Sequence, residues 1–172
     1  MSADLVELVD ADGSPCGAAP RRTVHGAETP LHRGFSCHLT DHDGRMLMTR
    51  RALTKRTWPG VWTNSFCGHP RPGESTTAAI HRYSRHELGV DVAELTPLLP
   101  DFRYRAVDAS GVVENELCPV FGARLVGSVR MNPLEVVECT WALISDVKVA
   151  LRATPWAFSP WFVAQMNQLE IR

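Results

Sequence analysis

Neither sign of charge prevails in this chain. Eighteen lysines and arginines stand against 19 aspartates and glutamates, a net charge of −1. With no basic arm or stripe, nucleic acid is not expected as a partner. Long apolar runs are also lacking. None approaches the roughly 18 residues that a membrane span requires, and the opening MSADLVELVD has neither the basic nor the apolar region of a secretory leader. Cysteine is sparse: five residues, at 16, 37, 67, 118 and 139, odd in number and free of any C-x-x-C. That pattern suits individual thiols in a reducing compartment and predicts a cytoplasmic protein. Repeats and low-complexity tracts are absent. What remains is ordinary for a globular chain, with 44% hydrophobic and 22% charged residues, and 172 residues suit one domain over 1–172.

Strand signals dominate. LVELVD followed by ADGSPCG reads as a strand and a turn, and FSCHLT and RMLMTRR flank DHDG as a β-hairpin. VWTNSFC, FRYRAV, VVENELCPVFGARL and VVECTWALI each read as one further strand. Ser75 or Thr76 predicts the start of a helix running to Leu88, with Gly89 as its stop. Ser159 and Pro160 mark the start of a second, terminal helix, SPWFVAQMNQLEIR. The class is α+β.

Three groups of residues could carry chemistry. Glu114 and Glu116 alternate in a strand-like run, so both carboxylates face one side. Cys67 and His69 have the same relation, and His25 and His32 lie in VHGAETPLHR. Alone, each has a bland reading: a solvated strand edge, a satisfied imidazole, a small buried thiol. Together, three imidazoles and two carboxylates suit a six-coordinate divalent ion such as Mn²⁺ or Mg²⁺, while histidine also suits Zn²⁺. The second group is basic: Arg21, Arg22, Arg50, Arg51, Lys55, Arg56 and Arg82, suited to phosphate oxygens or to a solvated face. The third is aromatic. Trp161 opens the terminal helix just after ATPWAFSP, a segment that could close over a pocket.

In SFCGHPRPGES, Gly68 and Glu74 have the Gly-x5-Glu spacing of the Nudix box, a diphosphate-handling signature here covering about 68–90. The box continues into a helix whose three glutamates hold the metal for hydrolysis. Here Tyr83 and His86 occupy two glutamate positions, and only Glu87 remains. Moreover TKRTWPGVWTNSFCGHPRPGES, FRYRAVDASGVVENELCPV and ATPWAFSPW closely resemble the signature stretches of the type I isopentenyl-diphosphate isomerase family.

The resemblance implies a Nudix-type mixed β-sheet sandwich flanked by helices, with an added N-terminal strand and loop and a C-terminal helix. It implies reversible interconversion of isopentenyl and dimethylallyl diphosphate. Residue by residue, Cys67 and Glu116 match the family's acid/base pair, Tyr104 a partner of that glutamate, and Trp161 the aromatic wall. His25, His32, His69, Glu114 and Glu116 match its metal ligands, and Glu87 the residue holding Mg²⁺ on the substrate diphosphate. Arg51, Lys55 and Arg82 look like diphosphate ligands, with Arg21 where lysine is common and Tyr83 where some members have a second arginine. A small isoprenoid diphosphate is the implied partner, and a monomer or weak homodimer the expected state.

The chemistry agrees. A 1,3-proton shift requires one group to deliver a proton and another to remove one, which a thiol and a carboxylate supply. Which of Cys67 and Glu116 protonates in the forward direction stays open. A hydrolase is the alternative, disfavoured by Tyr83 and His86, and a non-catalytic binding module is weaker still.

Overall fold

The structure, a computed structural model, describes residues 4–170. The last two residues of the terminal helix read from sequence therefore lie outside the described residues. Strands are numbered along the chain. The first sheet has the order β2 (Pro15–Pro20), β1 (Leu5–Val9), β3 (His32–Arg33), β10 (Val113–Leu117), β9 (Arg103–Val107). The second runs β12 (Val136–Ala142), β5 (Met46–Arg51), β4 (Phe35–Thr40), β11 (Val120–Val126), β8 (Asp91–Leu99). Two short strands extend it: β6 (Trp62–Thr63) on β5, and β7 (Phe66–Gly68) on β4.

Two chain segments pass from one sheet to the other side by side. β3 continues through Gly34 into β4, and β10 continues through Cys118 and Pro119 into β11; both pairs are parallel. Backbone bonds hold the crossing, Gly34 N to Leu117 O at 2.9 Å and Ser36 N to Pro119 O at 3.0 Å. VVENELCPVFGARL is thus two strands in two sheets, not one. Pro119 has no N–H for a continuous ladder, so the break falls there.

β4 shows why the second sheet is central. Phe35, Cys37 and Leu39 point to one face and are fully buried with Phe66, Ile80 and Leu88. A fully buried side chain of this size contributes about 1.5–3 kcal/mol. Ser36 and His38 point the other way and are also buried, toward the terminal helix.

The helix α1 (Thr76–Tyr83) starts where expected: Ser75 Oγ accepts from Ala78 N at 3.2 Å. Its last part differs, because Ser84–Leu88 forms a π-helical turn before Gly89 closes it at φ +65°. VWTNSFC is split into β6 and β7. Ser65 Oγ links Leu47 O and Leu39 N, and Asn64 Nδ2 takes Cys37 O, so side chains replace ladder bonds at the kink. β8 escaped the sequence reading: its Ala, Glu and Leu favour helix, and Pro97 marks it as an edge strand. So did α2 (Ile144–Ala153), whose N-cap Leu143 provides no side-chain bond. α3 (Pro160–Glu170) begins at Pro160 as expected, while the Ser159 hydroxyl meets Thr63 Oγ1 at 2.7 Å.

Candidate active site

The seam between the sheets gathers the histidines and carboxylates. His32 lies on β3, Glu114 and Glu116 alternate on β10, His69 follows β7, and His25 comes from the loop after β2. One ligand atom each of His25, His32, His69 and Glu116 lies within 4.8 Å of all the others. Glu116 Oε1 is 2.9 Å from His69 Nε2 and 3.6 Å from His32 Nε2. Glu114 sits beside this group, with Oε2 2.9 Å from His25 Nε2 and Oε1 accepting from Thr57 Oγ1 at 2.6 Å.

The cluster has the character of a ligand shell. His25 Nε2 and Glu114 Oε2 are buried, adjacent and without a hydrogen-bond partner. His32 Nδ1 lies 3.0 Å from Pro30 O, so it donates there and leaves the Nε2 lone pair facing His69 Nε2 at 3.3 Å. Fixing one ring nitrogen on a carbonyl so that the other can ligate is the usual outer-shell device. Three imidazoles with carboxylate oxygen suit a divalent ion. Burial opposes ionisation of Glu116, but His69 and His32 outweigh it and hold the carboxyl well below its ordinary range.

Cys67 belongs to the same place. A cavity of about 370 Å³ is lined by Cys67, His69, Tyr104, Glu114, Glu116 and Trp161, and by His25. His32 is fully buried behind it and does not line it. Burial pushes the Cys67 thiol up to about 11, against its hydrogen bonds with Ser36 and Asn64, which lower it. Burial, and then Glu116, push the Tyr104 phenol well above its ordinary value. One cavity therefore holds a thiol that keeps its proton beside a carboxylate that has lost one.

Aromatic rings close one wall. Trp161 is 3% exposed, with Tyr104 at 5.6 Å and Trp58 edge-on at 5.4 Å between centroids. Its ring already carries a cation: Arg51 Cζ lies 5.1 Å from the centroid. Arg51 is fixed there by the carbonyls of Thr57 and Trp58.

Cations line the rest. Arg21, Arg51 and Lys55 line the cavity, joined by the exposed Arg22 and Arg56. Arg82 does not line it. Its guanidinium grips Glu74 through two bonds of 2.9 and 2.6 Å, donates to His69 O and lies over the Tyr83 ring. It braces the box turn and His69 instead. Glu87 is buried in the cavity wall, with Lys55 Nζ 3.7 Å away. Burial raises the Glu87 carboxyl, and Lys55 opposes it.

Glu135 was not anticipated. It lines the cavity, is ion-paired with Lys55 and lies 3.3 Å from His86 Nε2. MNPLEVV contains no motif, and only the tertiary fold brings it opposite Glu87. The expected closing segment also differs. Of ATPWAFSPW only Trp161 lines the cavity, while Trp156 is 79% exposed on a separate apolar groove with Trp58 and Phe158. Among the described residues no helix is long and apolar enough to cross a membrane.

Residues 30–162 match the NUDIX domain family. The solved MutT protein of Methanosarcina mazei superposes with a TM-score of 0.64 at 18% identity, covering 84% of this chain and 96% of that one. At that identity the likeness speaks for the fold. Isopentenyl-diphosphate Delta-isomerase of Brevibacterium linens is 53% identical over 97% of this chain and 92% of its own length. The enzyme of that name from Citrobacter koseri is 51% identical over 100% and 95%. On this identity over nearly the whole length, the chain belongs to the isopentenyl-diphosphate Delta-isomerase family within the Nudix fold.

Proposed function

We propose that this chain isomerises isopentenyl diphosphate to dimethylallyl diphosphate, reversibly, as a supplier of isoprenoid synthesis. The observation that carries the reading is the joint occurrence in one cavity of the Cys67 thiol, the Glu116 carboxyl group and a cation-binding indole. A proton added to the terminal methylene leaves a tertiary cation. Loss of a proton from the methylene bonded to the cationic carbon, on the diphosphate side, then makes the new double bond. Cys67 and Glu116 share these two transfers, each donating in one direction of a reversible reaction. Tyr104, neutral beside Glu116, serves as a hydrogen-bond donor that orients it.

The cation would be captured by water, so the pocket must be dry and offer electrons without a nucleophile. The Trp161 face meets that need, being worth ~2 kcal/mol or more to a desolvated cation. Arg21, Arg51 and Lys55 bind the diphosphate, one methylene away from the nearer carbon that exchanges a proton. Hydrolysis is disfavoured because Tyr83 and His86 stand where carboxylates would assist attack of water on phosphorus.

Two metal sites accompany this reading. Glu87 would hold Mg²⁺ arriving with the diphosphate; His25, His32, His69, Glu114 and Glu116 would hold Mn²⁺, Mg²⁺ or Zn²⁺. An ion there would fix Glu116 and alter its acidity. Residues 1–172 act as one domain, and the scattered thiols suit a cytoplasmic setting.

The test is turnover and binding in parallel. Cys67→Ala and Glu116→Gln should each abolish isomerisation while Cys67→Ala still binds the diphosphate. Near-normal turnover by a folded Cys67→Ala protein would remove the thiol from the reaction.

A further inference from the structure

A file of buried polar groups stands behind Cys67, and none of its three members lines the cavity. Ser36 lies directly opposite Cys67 in the β4–β7 pairing, with Oγ 3.2 Å from Sγ. Gln165, on α3, reaches Ser36 Oγ with Nε2 at 2.8 Å and meets His38 Nε2 with Oε1 at 3.0 Å. Ser36 and Gln165 are 0% exposed and His38 is 2%. On the far side of the sulfur, Cys67 donates to Asn64 Oδ1 at 3.2 Å.

The direction of these bonds follows from His38. Its Nδ1 has no partner. A bare buried lone pair costs less than a bare buried N–H, so the proton belongs on Nε2, where it is donated to Gln165 Oε1. Burial keeps the ring neutral by lowering its pKa to about 4. Gln165 must then present its NH₂ to Ser36, whose oxygen accepts. The Ser36 proton is thereby left for a sulfur, Cys67 Sγ at 3.2 Å or Cys118 Sγ at 3.5 Å, and we assign it to the nearer, Cys67. His38, Gln165, Ser36, Cys67 and Asn64 form one file in which each donates to the next.

We infer that Gln165 and Ser36 are positioning residues for Cys67, holding its sulfur in place and directing its S–H toward Asn64. The inference rests on the role of Cys67 proposed above. Stability alone does not account for the file, because apolar side chains of the same shape would hold α3 about as well. Its placement is also informative. Gln165 is four residues beyond Trp161 and therefore on the same face of α3. One rigid helix thus fixes the indole directly and the thiol through Gln165, which sets both sides of the reacting carbons against a common support.

Ser36→Ala, Gln165→Leu and the double variant test this, each first shown to melt cooperatively and keep its metal. We expect kcat to fall about tenfold or more in each, with KM within about twofold of native. The double variant should lose no more than the worse single, since both act along one path. The S–H stretching band of Cys67, isolated as an infrared difference against Cys67→Ala, should move in Gln165→Leu. Native kcat in folded Gln165→Leu, losses that multiply in the double variant, or an unmoved band would each overturn the inference. Should Gln165→Leu fail to fold, Ser36→Ala, which removes one oxygen atom, decides by its own kcat and S–H band. An active Cys67→Ala would instead sink the catalytic reading itself, so the two failures are distinguishable.

Discussion

Gly34 lies so close to Glu116 that a Cβ on it would stand 2.1 Å from Oε2. No unusual φ explains this glycine; the carboxylate occupies the space a side chain would fill. Gly34 is also where β3 crosses into β4, so the strand crossing and the candidate acid/base share one point of the fold. Gly34→Ala should push Glu116 out of line. A displacement near 1 Å lowers kcat by about 100-fold, with a loss of about 1–3 kcal/mol from overpacking. Kinetics and thermal melts on the same preparation check it, and native kcat would show that Glu116 tolerates the shift.

The ligand shell predicts tight metal. About one divalent ion per chain should survive gel filtration, beyond Mg²⁺ added with substrate. His69→Ala and Glu114→Gln should weaken its retention by at least the roughly 10–100-fold that loss of an outer-shell partner costs. Elemental analysis of native and variant protein decides; equal metal content in all three contradicts the assignment.

His38 predicts a pH dependence of stability. Its folded pKa is lowered to about 4 by burial, from an ordinary 6.5. Between those values the unfolded chain binds a proton that the folded chain refuses. Stability is therefore lost as pH falls from about 6.5 to 4, by up to about 3 kcal/mol from this site. His38→Gln, which can still donate to Gln165, should flatten that part of the curve. Urea unfolding at several pH values gives the slopes, and identical slopes would mean that His38 charges freely in the fold.

Trp161 separates packing from electrostatics. If the indole faces a developing cation, loss of ~2 kcal/mol gives a roughly 30-fold lower kcat in Trp161→Leu. Phe and Tyr replacements should lie between Leu and native, and KM should change less than kcat because the charge exists only near the transition state. A folded Trp161→Leu protein with native kcat would make the ring a wall only.

The fold class and part of the candidate site were legible in the sequence. Glu114 and Glu116 alternate on β10, and Cys67 on β7 stands two residues before His69, so each pair could be read locally. His25 and His32 joined them as further imidazoles suited to one divalent ion, a grouping the family resemblance also implies. What escaped depends on distant contacts. Arg82 and Arg51 look alike in sequence, yet Glu74 claims one and the Trp161 face the other. Glu135 acquires meaning only opposite Lys55 and Glu87. β8 and α2 were missed because an edge strand tolerates Pro97 and helix-favouring residues, and because Leu143 gives no capping signal.

The central claim is proton transfer at carbon, and one spectrum tests it. The native protein, its metal retained, is incubated with isopentenyl diphosphate and Mg²⁺ in D₂O and followed by proton NMR. The account predicts growth of the dimethylallyl methyl signals to an equilibrium mixture, with deuterium entering the methyl group formed and the phosphate linkage intact. An unchanged olefin accompanied by release of inorganic phosphate would contradict it.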